Sequence, residues 1–105
     1  MNLWCSHNCS ATIYAVEFEW NDKKDRANQR KHGMSFTFAA QAFLDEHRKE
    51  RLDERSIDEE RWIMVGLVDG QEIVIAYTMR DDITRLISAR GADKYEREDY
   101  WYGPV

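Results

Sequence analysis

The sequence predicts an α+β domain built as a strand, two helices, a mostly antiparallel sheet and a short C-terminal helix. Three observations carry that prediction. Residues Thr12 to Trp20 alternate apolar and polar side chains with the two-residue period of a half-buried strand. The segment that follows is bounded by Asn21 and Gly33, residues that start and stop helices. Further along, Arg61 to Val68 and Gln71 to Thr78 are rich in Val, Ile and aromatic residues, and the Asp69-Gly70 pair between them suits a two-residue hairpin turn.

In the first strand Tyr14, Val16, Phe18 and Trp20 share the inner side, while Glu17 and Glu19 share the outer one. A helix follows over Asp22 to His32, with Asp22 in its first turn and Lys31-His32 near the negative end of its dipole. Ser35 caps a second helix, whose Phe36, Ala39, Ala40 and Phe43 recur at helical spacing, and such an Ala-rich face packs close to a sheet. From His47 to Glu60 charges of both signs dominate, and a short edge strand is expected there. After the hairpin, Asp81-Asp82 marks a turn into a strand over Ile83 to Arg90, in which Leu86, Ile87 and Ala89 imply burial on both faces. Ala92 to Tyr100 closes the domain as a helix with Lys94, Arg97 and Glu98 on its wet side.

The 105 residues suffice for one modest core, so residues 11–100 are expected to form a single domain, with 1–10 as an N-terminal extension and 101–105 as an aromatic tail able to dock on the core or a partner. The start of the chain lacks the pattern of a secretory signal and the apolar runs are short, so a cytoplasmic protein without a membrane segment is expected. Cys5 and Cys9 flank His7 but lack a fourth ligand, which makes them ordinary thiols. Fifteen Lys and Arg stand against twenty Asp and Glu, a net charge of -5, so the overall field repels a polyanion and any nucleic-acid chemistry needs a local basic site. No turn-linked helix pair with a basic recognition helix stands out, which argues against a DNA-binding regulator.

An ordered series of residues resembles the BrnT family of toxins from type II toxin–antitoxin modules. It runs from Phe18-Glu19-Trp20-Asn21 through Lys24, Asn28, Lys31-His32-Gly33, Phe36, Ala39, Phe43 and Asp45. It resumes at Glu60-Arg61, Gly66, Tyr77-Thr78, Arg80 and Arg85-Leu86-Ile87-Ser88-Ala89-Arg90, and ends at Ala92, Glu96 and Tyr100. These matches cover roughly four fifths of the chain, and the series is far more specific than any one of them. The resemblance implies a RelE-like fold and a ribonuclease that inhibits translation by cutting RNA. It also implies a cognate, DNA-binding BrnA-like antitoxin that sequesters the toxin, any contact with DNA being made through that partner. Where the family has Asp after the Trp, this chain has Asn21, which caps a helix equally well.

Cleavage through the 2′-hydroxyl needs a group to take its proton, cations on the phosphate and an acid for the leaving oxygen, and so requires neither metal nor organic cofactor. Arg80 and Arg85 are candidate phosphate clamps, with Arg61 as a third. His32 and Glu60 are alternative proton carriers, although His32 also suits a helix cap and Glu60 a solvated surface. Lys24, Asn28 and Lys31 align on one helix face as an RNA-backbone cradle, unless Asn28 instead bonds to the strand that precedes the helix. Arg90 is a further RNA-binding candidate, which strand alternation places on the opposite face from Arg85, and Trp20 is assigned to the core. The competing reading is a non-enzymatic module whose charges and aromatic tail bind a DNA-binding partner.

Overall fold

The structure is a computed structural model that describes residues 8–13, as backbone, and 16–104. Cys5, His7, Tyr14, Val105 and the thiol of Cys9 lie outside the described residues. Among the described residues there are six strands, β1 (Asn8–Ile13), β2 (Val16–Asn21), β3 (Lys49–Leu52), β4 (Trp62–Val68), β5 (Gln71–Arg80) and β6 (Ile83–Gly91). Three helices accompany them, α1 (Asp22–His32), α2 (Phe36–Ala40) and α3 (Lys94–Tyr102), with a 3-10 turn at Gln41–Leu44. The strands form one sheet in the order β1-β2-β6-β5-β4-β3. All neighbours are antiparallel except β2 and β6, which run parallel through Phe18↔Thr84 and Glu19↔Arg85.

The local signals act as their chemistry dictates. The Asn21 side chain accepts from Lys24 N at 3.2 Å to start α1, and Gly33 at φ 68° ends it. Ser35 Oγ accepts from Phe38 N at 3.1 Å, and Asp93 and Glu96 form a reciprocal capping box on α3. Asp69 and Gly70, and likewise Asp81 and Asp82, take positive φ, as two-residue hairpin turns require. The edge strand expected within the charged segment is β3.

The single strand expected from Thr12 to Trp20 is instead the β1–β2 hairpin, in which Asn8 faces Asn21 and Ile13 faces Val16. Residues 8–10, read from the sequence as part of an extension, therefore belong to the sheet. The alternation ran on without a Gly, Asn, Asp or Pro at Tyr14-Ala15 to signal a break. Trp101 and Tyr102, read as tail, complete the last turn of α3, and Trp101 Nε1 donates to Glu72 Oε2 at 2.8 Å.

One face of the sheet packs beneath α1, α2 and the 3-10 turn, burying Phe18, Trp20, Phe36, Met64, Ile73, Ile75 and Leu86 almost completely. Trp20 meets Phe36 edge-on at 6.1 Å, and Phe43 stands edge-on to both Phe18 and Tyr77 at 5.1 Å. Ala39, Ala40 and Ala42 are fully buried, and Gly66 permits the close approach of the 3-10 turn to β4: a Cβ there would lie 3.1 Å from Ala42 Cβ.

The β5–β6 ladder slips by one residue, since Ala76 faces Ser88 while Tyr77 faces Leu86, leaving Ile87 as a bulge. Leu86 and Ala89, three residues apart, consequently both enter the core. The same slip overturns the expectation that Arg85 and Arg90 point oppositely. They pair with Thr78 and Val74, which lie on one side of β5, so both arginines face away from the core.

Asn28 is the buried residue of α1. Its amide donates to Ala89 O at 2.7 Å and Met34 O at 2.9 Å, and its oxygen accepts from Ala89 N at 3.1 Å. Asn28→Ala would strand the buried backbone groups of Ala89, at a cost of about 2–4 kcal/mol. Urea unfolding is expected to show a lower midpoint with an unchanged m-value.

Candidate active site

The second face of the sheet is covered only in part. At one end α3 shields it, with Lys49 Nζ donating to the carbonyls of Asp99 and Gly103 and Trp101 bonded to Glu72. At the other end lies an open cleft of about 440 Å³. Its floor comes from Thr78 and Arg80 of β5 and Arg85 and Ile87 of β6, its walls from Lys24 in the first turn of α1 and from the β3–β4 loop. Five cations (Lys24, Arg55, Arg61, Arg80, Arg85) line it against two carboxylates (Asp58, Glu59), a local balance of 5 − 2 = +3 in a chain of net charge -5.

The loop is pinned at its base. Asp53 N donates to Arg61 O at 2.7 Å, and the buried Asp53 carboxylate accepts from Arg55 N at 3.0 Å. Ser56 Oγ accepts from Arg61 N at 2.9 Å and donates to Asp53 O at 2.6 Å. Arg61 and Glu59 are thereby presented to the sheet on a closed loop.

Two arginines meet carboxylates in different settings. Arg80 Nη2 donates to Glu59 Oε2 at 2.8 Å, with both side chains nearly half exposed. That hydrogen bond holds the Glu59 carboxyl below its ordinary value, with the charges of Arg80 and Arg85 acting the same way, and it raises Arg80. Arg85 is 8% exposed and its Nη1 lies 3.5 Å from Oε1 of Glu19, itself 4% exposed. Burial pushes the Arg85 guanidinium down, against the pull of Glu19. Thr78 Oγ1, buried beside Glu59, has no well-formed hydrogen-bond partner among the described residues.

Of the candidates read from the sequence, Lys24, Arg61, Arg80 and Arg85 converge on this cleft. The others do not. Asn28 is turned inward to β6. Lys31 and His32 are exposed at the far end of α1, and Lys31 lies seven residues, or about 10 Å along the axis, beyond Lys24. Arg90 is held bidentately by Glu96 at 2.8 and 2.7 Å. Glu60 is exposed and outside the cleft, while its neighbour Glu59 lines it.

Sequence reasoning missed Glu19, Glu59, Arg55, Asp58 and Thr78. Strand alternation had placed Glu19 on the outer side of β2, and pairing β2 with β6 would have brought it to Arg85. Nothing in the charged loop distinguishes Glu59 from Glu60.

Among the described residues no three His, Cys, Asp or Glu side chains converge as a metal site, and no helix is long and apolar enough to cross a membrane. A mixed sheet with helices on one face and a terminal helix on the other is a RelE-like α+β arrangement. The family model described as the ribonuclease toxin BrnT, of type II toxin–antitoxin systems, matches residues 20–96, and the chain belongs to that family of toxins. No curated protein matches it individually.

Arg80→Ala is expected to raise the Glu59 pKa toward its ordinary value, read by carbon NMR titration of the carboxyl. Because the folded value is depressed, stabilisation by this pair is present above the ordinary glutamate range and is lost as the pH falls through the folded value. A Glu59 titration unmoved by the substitution would show that the pair does not form in solution.

Proposed function

We propose that this toxin is an endoribonuclease and that the cleft is where it cuts RNA. The observation that carries the reading is the convergence of Lys24, Arg61, Arg80 and Arg85 from four separate parts of the chain in a protein whose overall field repels RNA. Guanidinium groups stay charged and hold phosphate oxygens through aligned donors, so Arg61, Arg80 and Arg85 stabilise the added negative charge of a pentacoordinate phosphorus, and Lys24 holds the adjoining backbone. Glu59, ionised at neutral pH, accepts the 2′-hydroxyl proton as its place on Arg80 passes to the substrate phosphate.

The 2′-oxygen bonds to phosphorus and the bond to the 5′-oxygen breaks, leaving a 2′,3′-cyclic phosphate and a 5′-hydroxyl protonated from solvent at the open mouth. These roles require no metal ion. A cognate antitoxin then silences the toxin by laying an acidic or aromatic segment over the cleft and excluding RNA, and DNA is reached through that antitoxin alone.

Purified protein in excess EDTA is expected to cut bulk RNA, read on a gel with free RNA and with translating ribosomes. Arg80→Ala and Arg85→Ala should each slow cleavage about 10²–10³-fold, and Glu59→Gln at least about 10²-fold, with the fold of each variant checked by circular dichroism because Arg85→Ala removes a buried partner of Glu19. Wild-type rates in both arginine variants would remove the cleft from the reaction, and loss of wild-type activity in EDTA would overturn metal independence.

A further inference from the structure

Glu19 is a buried carboxylate that the reaction above does not use. It is 4% exposed, lies on β2, and faces Arg85 across one of the two residue pairs that join β2 to β6. It does not line the cleft, whereas Arg85 does. Replacing such a buried ion pair with apolar residues often leaves stability unchanged or improves it, so stability is a weak reason for its presence. What the pair supplies is aim. An arginine on the floor of a cleft, 8% exposed, must point its charge toward solvent and substrate while desolvation opposes that charge.

We infer that Glu19 is a positioning residue: its carboxylate, set by the backbone register of β2 against β6, holds the Arg85 guanidinium in the orientation that meets the scissile phosphate. The 3.5 Å contact is longer than a tight charge-assisted hydrogen bond, so Glu19 steers Arg85 largely through Coulomb attraction between two buried groups. Glu17, two residues earlier on the same side of the strand, is exposed and makes no comparable contact with Arg85, which shows that the pairing belongs to register and not to composition.

This rests on the nuclease reading of the cleft, and the test separates the two. Steady-state cleavage of a short RNA is measured for wild type, Glu19→Gln, Arg85→Ala and the double variant, alongside thermal unfolding of each. The expected result is a fall in kcat of about 10–100-fold for Glu19→Gln with KM within about threefold, since a small misplacement of a catalytic group costs rate more than binding. In the Arg85→Ala background most of the Glu19→Gln loss should disappear, because Glu19 contacts Arg85 and reaches Arg80 only through its charge. A merely structural role would lower the melting temperature and leave this kinetic dependence absent. Should Glu19→Gln fail to fold, Glu19→Asp, which keeps the charge and shortens its reach, carries the same cycle. Cleavage at the wild-type rate, or losses that multiply in the double variant, would overturn the inference while leaving the nuclease reading standing. A wild type that cuts no RNA, free or on ribosomes, overturns both.

Discussion

The side chain of Asn28 does the work of a missing strand. β6 is paired along its length by β5, but β2 accompanies it through only two residue pairs before the chain turns at Asn21 into α1. Beyond that point the outer edge of β6 lies under a helix, where the N–H and C=O of Ala89 have no strand to meet. One carboxamide offers both a donor and an acceptor, and Asn28 satisfies both groups while donating also to Met34 O. Three parts of the chain are thus joined: α1, the connection that follows it and the central strand. Asp25 Oδ1, accepting from Phe36 N at 2.8 Å, then sets the start of α2. Arg85 lies on the same strand as Ala89, so the seat of α1 and the floor of the cleft share one support.

The division of labour between the two faces depends on an irregularity. A regular β6 could not bury both Leu86 and Ala89, and the Ile87 bulge allows it while directing both Arg85 and Arg90 to the second face. There α3 separates their fates, since Glu96 in its first turn takes Arg90, leaving Arg85 at the open end. The position of α3 is secured through Asp45, whose carboxylate accepts from Leu67 N at 2.9 Å and from Tyr100 OH at 2.5 Å. Burial and that hydrogen bond push the Tyr100 hydroxyl up to about 12, so it remains a donor throughout the neutral range.

Periodicity and caps made most of this architecture legible. Asn21, Gly33, Ser35 and Asp69-Gly70 mark boundaries because each satisfies or frees a particular backbone group, and the structure uses each one so. The division into β1 and β2 was hidden because no Gly, Asn, Asp or Pro interrupts the alternation from Thr12 to Trp20, and the Ile87 bulge because one inserted residue leaves no compositional trace. The cleft was half legible. Arg61, Arg80 and Arg85 could be picked out as cations on or beside strands and Lys24 as a cation on a helix face, but Asn28 and Arg90 satisfy the fold instead, and proximity alone distinguishes Glu59 from Glu60. Partner choice is decided by tertiary register, on which a local pattern is silent.

On the proposed nuclease reading, an acidic protein that acts on a polyanion has to confine its attraction to one place. Arg80 and Arg85 would do this by different means: the first meets Glu59 at a solvent-accessible pair that a substrate phosphate could exchange, the second lines the cleft while meeting Glu19 at a buried contact outside it. Exchangeable pairing screens the cleft while it is empty, so weak polyelectrolyte contact is discouraged and only a phosphate that reaches several cations together displaces the carboxylate. Fixed pairing has the opposite value, because a buried charge with a settled partner need not reorganise when negative charge grows on phosphorus. Geometry, more than bulk charge, therefore has to supply the selectivity of such a cleft.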